Sequence, residues 1–185
     1  MIRYAPLFAA VILSGCGGGK LADSFDTRQN AGPCPPVGAL YDSSRYVDLD
    51  GGGELYTNIE FTGEVIDVRL FCRYVGDDPL EAEVEIDFAF GKGPAAQSDS
   101  HTYPYYIAVT RRSGRVLAKE YFNVQADFAG RPLAGKTEVI ETIVIPRVDE
   151  SISGTNFEVI VGFDLTDEQL EFNRAGKRFR MDAGQ

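Results

Sequence analysis

The stretch Leu80–Phe90, LEAEVEIDFAF, constrains this chain more than any other. Leu80, Ala82, Val84, Ile86, Phe88 and Phe90 alternate with Glu81, Glu83, Glu85 and Asp87. A helix repeats about every 3.6 residues and has no face that collects alternate positions, whereas a strand sends successive side chains to opposite sides. The run therefore has one apolar and one carboxylate face, and it must bury the apolar one against a second layer. The row of four carboxylates is the solvated face of that strand, and the alternation accounts for it without a bound cation.

The same rhythm recurs along the chain. Arg45–Leu49 is a candidate first strand. ELYTNIEF (54–61) and EVIDVRLFCRYV (64–75) read as two strands joined by a hairpin turn at Thr62-Gly63. In the second of them Ile66, Val68, Leu70, Cys72 and Tyr74 share one face, with Asp67, Arg69 and Arg73 on the other. GKGPAAQSDSHT (91–102) reads as a long polar loop, followed by a hairpin around Ser113-Gly114. TEVIETIVIP and NFEVIVGFDL supply two further strands. Thr166-Asp167-Glu168-Gln169 is a capping box, with Leu165 and Leu170 placed as a hydrophobic staple and Gly176 at the C′ position. It predicts a helix from about Asp167 to Ala175. Short strands punctuated by turns, without alternating helices, predict an all-β fold: an antiparallel, immunoglobulin-like β-sandwich with one short C-terminal helix. That expectation rests on architecture, since the tyrosine-corner signature is absent and the chain has no tryptophan.

The N-terminus carries a different kind of signal. After Arg3 an apolar run, Ala5–Gly15, is far short of the roughly 20 residues that a membrane span needs. Its length and flanking charge fit the n- and h-regions of an export signal. The run ends Leu13-Ser14-Gly15-Cys16, which resembles the lipobox of bacterial lipoproteins. The resemblance covers only this leader; the alternative is a buried core helix followed by a chance Gly-Gly-Gly-Lys. It implies that Cys16 is acylated and becomes the N-terminus after cleavage, tying the protein to a membrane through three acyl chains. Gly17, rather than Asp, then implies an outer-membrane address by the sorting rule of enteric lipoproteins, with the domain facing the periplasm. The organisation expected is a signal peptide (1–15), a flexible Gly-rich tether (16–32) spanning roughly 20–25 Å, and a β-sandwich domain (33–185).

With Cys16 assigned to lipid, Cys34 and Cys72 remain. An even remainder in an exported chain is read as a disulfide; two unrelated buried thiols are the alternative. About 170 residues follow the leader, enough for one domain with a proper core. The net charge of −10 argues against nucleic acid as a partner, because a phosphate backbone needs clustered cations.

Candidate chemistry is sparse. Ser98-Asp99-Ser100-His101 holds the letters of a catalytic triad, but consecutive residues do not meet triad geometry. Asp48–Glu54, DLDGGGE, lacks the ligand register of a calcium loop, and FGKGPAA is no phosphate-binding loop. No catalytic residue, metal set or cofactor is expected. Two basic groups stand out in an acidic chain: Arg111, Arg112 and Arg115 at one hairpin tip, and Arg174, Lys177, Arg178 and Arg180 near the C-terminus. If they converge, they form a contact surface for anionic lipid head groups, lipopolysaccharide or an acidic partner. The leading expectation is an outer-membrane-anchored lipoprotein whose non-catalytic sandwich binds an envelope protein or glycan. The alternative is a cell-envelope hydrolase working through paired carboxylates, which would need a deep pocket holding both.

Overall fold

The computed structural model describes residues 32–74, 79–148 and 151–179. The leader, Cys16, nearly all of the tether and Arg180 lie outside the described residues. Among the described residues there are eight strands: β1 (Val37–Ala39), β2 (Arg45–Leu49), β3 (Ile59–Arg73), β4 (Leu80–Lys92), β5 (Ser100–Arg111), β6 (Val116–Asp127), β7 (Leu133–Ile145) and β8 (Phe157–Phe163). One helix, α1 (Asp167–Arg174), follows them.

The strands form two four-stranded sheets, β1-β8-β5-β6 and β2-β3-β4-β7. The chain crosses between them after β1, after β4, after β6 and after β7. This sets β3-β4-β7 against β6-β5-β8, the crossover order of an immunoglobulin-type sandwich. All pairings are antiparallel except one. The place beside β8 is taken by the short N-terminal β1, which runs parallel to it with Val37 opposite Val159.

LEAEVEIDFAF behaves as its alternation requires: Leu80, Ala82, Val84, Ile86, Phe88 and Phe90 are all buried. Across the interior they meet an aromatic set from the other sheet. Phe90 stacks on Tyr103 at 4.3 Å, and Phe88 meets Tyr105 and Phe163. Burial removes water from the tyrosine hydroxyls, and the Tyr103 OH recovers a partner by donating to the Thr62 carbonyl at 3.1 Å.

Three expectations need correction. Thr62-Gly63 is no hairpin turn; β3 runs unbroken through it. Gly63 serves packing, because a Cβ there would lie 3.0 Å from the Phe163 ring. The parity of β3 then changes at a bulge between Val65 and Asp67. Ile59, Phe61 and Val65 face inward before the bulge, whereas Val68, Leu70 and Cys72 pack on the core after it. Ile66 sits at the switch and is exposed, not on the inner face with Val68. The polar loop is also shorter than expected. β4 continues to Lys92 and β5 starts at Ser100, so His101 belongs to a strand.

Cys34 and Cys72 form a disulfide with their Cα atoms 5.7 Å apart. Beside it, the Tyr74 hydroxyl donates to the Pro33 carbonyl at 2.8 Å and accepts from the Gly154 amide at 2.7 Å. The segment leading into β1 is thus held both covalently and by hydrogen bonds.

The sheet edges are guarded differently. On β7, Lys136 and Glu138 stand opposite the buried Phe88 and Ile86, so both charges point inward, and they pair at 2.8 Å. On β6, Glu120 likewise stands opposite Ile107. Inward charges on an edge strand discourage addition of a further strand. The β2 edge is covered by α1, which carries the expected capping box: the Thr166 Oγ1 accepts from the Gln169 amide, and the Gln169 Oε1 accepts from the Thr166 amide. Gly176 takes the left-handed conformation, with φ of 71°.

Candidate functional site

The principal concavity, about 310 Å³, lies on the outer face of the β2-β3-β4-β7 sheet. Its floor crosses all four strands, from Val47 through Thr62 and then Gly91 to Leu133. Thr62 pairs with Gly91 and Glu64 with Ala89, so on β4 the floor is built from small residues and stays low. One wall is α1 and the turn after it, where Phe172 and Phe179 stack with centroids 5.5 Å apart. The result is a shallow groove with an aromatic wall and a floor that carries Glu64 beside small and apolar residues.

Four charged side chains line this groove: Arg45, Glu64, Lys177 and Arg178. Arg178 Nη2 binds Glu64 Oε1 at 2.8 Å, and Lys177 pairs with Glu54 outside the groove. Arg45 has no carboxylate partner among the described residues. Its guanidinium lies 4.7 Å from the centroid of the Tyr41 ring, and its Nε and Nη2 are buried without an acceptor. Sequence reasoning placed Arg45 in a strand and gave it no role. Its backbone carbonyl accepts from Asn173 of α1, which arrives more than 120 residues later in the chain.

The two basic groups do not converge. Arg111 stands opposite Phe157 at the start of β8, with its guanidinium 5.2 Å from that ring, while Arg112 and Arg115 are exposed on the β5–β6 hairpin of the first sheet. Arg174, Lys177 and Arg178 lie on the outer face of the other sheet, and Arg174 Nε binds Asp42 at 3.2 Å. Each of these three therefore has its own carboxylate. The hairpin tip shares an end of the sandwich with the disulfide: the Arg112 amide donates to the Asn156 carbonyl, one turn from the Gly154 that holds Tyr74.

The other sequence candidates are absorbed by structure. His101 stacks on Phe61 at 4.3 Å, with Nε2 3.3 Å from the Tyr46 hydroxyl. Burial lowers its pKa, against the opposing pull of Asp48 and Glu60. Asp99 binds Lys92 and the Gly130 amide instead, and this holds its carboxyl below the usual range. Ser98 bonds to Ser100. In DLDGGGE, Asp50 accepts from the Gly52 amide, which makes a turn. Three of the four outer carboxylates of β4 are held by arginines, Glu85 and Asp87 by Arg69 and Glu81 by Arg73. Asp87 is accordingly held below the usual range, by the Thr137 hydroxyl first and Arg69 second.

Comparison with known proteins adds no kinship: no family model, no curated protein and no solved structure matches this chain.

Proposed function

We propose that the chain is a lipid-anchored protein of the bacterial outer membrane, whose β-sandwich binds an envelope protein or glycan without catalysing a reaction. The observation that carries this reading is Leu13-Ser14-Gly15-Cys16 at the end of a short apolar run. The Cys34–Cys72 bond supports it independently, because disulfides persist in compartments outside the reducing cytosol. The bond also fixes the chain where the tether enters the fold. A load carried by Cys16 would therefore reach the sandwich through a covalent staple.

Binding is favoured over hydrolysis by the groove itself. Glu64 is the one carboxylate among its lining residues, and it is engaged by Arg178. The described carboxylates with displaced pKa values, Asp87, Asp99 and Glu168, are all lowered, the direction opposite to that of a general acid.

The test is fractionation of cells that express the Cys16→Ser chain. The variant is expected in the soluble fraction and the parent chain with the outer membrane. Equal membrane retention of both would refute the anchor.

A further inference from the structure

We infer that β1 is a removable guard on the β8 edge, latched by the Cys34–Cys72 bond. Once the latch is open, β8 pairs antiparallel with β8 of a second copy about Ile160.

The need for a guard comes from β8 itself. The β6 and β7 edges carry inward charges, and the β2 edge has α1. β8 has neither device: its inward side chains are Phe157, Val159, Val161 and Phe163, all buried, and Glu158 is its one charge. An apolar strand without proline, left unpaired, is a template for a further strand. β1 covers it with three residues, in the less stable parallel sense. Pro35 and Pro36, which lack an N–H, stand just before β1, so the edge that β1 itself offers is very short.

So short a ladder is a weak hold, and the staple reinforces it from Cys34, three positions before Val37. Reduction by a dithiol breaks the S–S bond, leaving two cysteine thiols and the dithiol's own disulfide. The segment is then kept by the Tyr74–Pro33 hydrogen bond, the ladder and the packing of Val37 on the core.

The occupant is read from the strand. FEVIVGF is nearly the same in both directions about Ile160. Two copies paired antiparallel about that residue set Phe157 opposite Phe163 and Val159 opposite Val161. Each Glu158 then meets a Gly162 and no like charge. The pairing is isologous, so it closes as a dimer, and seven residues replace three in the ladder. The Val159 N–H and the Val161 carbonyl, engaged by Pro36 and Leu40 in the guarded state, become its hydrogen-bonding groups.

The experiment compares two full chains by sedimentation equilibrium, with far-UV circular dichroism as the check on folding. One carries Cys16→Ser, and the other adds Cys34→Ala and Cys72→Ala. The first is expected to be a monomer and the second a dimer of twice its mass. Ile160→Cys in the second should then cross-link the copies on oxidation. Ile160 meets itself at a position without hydrogen bonds, where Cα atoms are about 4.5 Å apart and within disulfide reach. A folded monomer overturns the inference, as does a stapled chain that already dimerises. A dimer that Ile160→Cys fails to cross-link also overturns it, since exchanged β1 segments would give that result. Should the chain without the staple fail to fold, Gly38→Pro with Ile160→Cys in the stapled chain takes its place. Gly38 alternates with Pro36 and Leu40 on the bonded side of β1, so proline removes a ladder donor where a side chain has room. The same cross-linked dimer is expected, and a monomer overturns the inference there too.

Discussion

The side-chain amide of Gln169 donates to the backbone carbonyl of Val47 at 2.6 Å, joining residues 122 positions apart. One turn later Asn173 Nδ2 donates to the carbonyls of Arg45 and Asp42, both at 2.8 Å. Four residues of helix rise about 6 Å and two residues of strand span about 6.6 Å. The pair Gln169 and Asn173 therefore keeps step with Val47 and Arg45, and α1 serves the β2 edge as a surrogate strand. Asn173 is almost wholly buried. Asn173→Ala is expected to destabilise the fold by about 1–3 kcal/mol, because it removes two hydrogen bonds that a buried side chain makes to the β2 edge. Gln169→Ala, at a more open position, should cost less. Urea denaturation of both variants checks the order.

The Cys34–Cys72 bond closes a separation of 38 residues. In the chain-entropy account a loop of that length stabilises by about 4 kcal/mol. Reduction, or replacement of both cysteines by alanine, should lower the melting temperature by many degrees. An unchanged melting temperature would show that the bond does not form.

Gly63 and Gly38 make a matched pair. A Cβ at Gly63 would lie 3.0 Å from Phe163 and 3.3 Å from Tyr103, whereas one at Gly38 meets nothing within 4 Å. Gly63→Ala should cost about 1–3 kcal/mol through overpacking, and Gly38→Ala should be near neutral. Comparable denaturation midpoints for the two would contradict the packing role assigned to Gly63.

His101 predicts a pH dependence. Burial lowers its pKa in the folded state, so between that value and the unfolded one the unfolded chain binds more protons. Stability from this residue is complete above the unfolded value, about 6.5, and is lost as pH falls below it. His101→Phe keeps a ring against Phe61 and should flatten stability between about pH 7 and pH 5. A parent protein whose stability is already flat in that window would count against it.

Alternation alone was enough to identify β4 and its apolar face, because period two is a property of the strand itself, and Ser113-Gly114 between two strand-forming arms marked the β5–β6 hairpin. The Thr166–Gln169 capping box was equally legible, since its hydrogen bonds close within one turn. Thr62-Gly63 was misread for a long-range reason. A glycine in a turn and a glycine beneath a ring from another sheet look the same until Phe163 is in place.

The chain's own letters thus determined the class of fold, the capped helix and the two cysteines available to pair. Which charges stay unpaired was decided only in three dimensions. Arg174, Lys177 and Arg178 drew attention as a cluster, yet each meets a carboxylate that folding brings from the segment between Asp42 and Glu64. Arg45 drew none, and its Nε and Nη2 are buried in the fold without an acceptor. Electrostatic balance depends on distance through the fold, and spacing along the chain does not encode it.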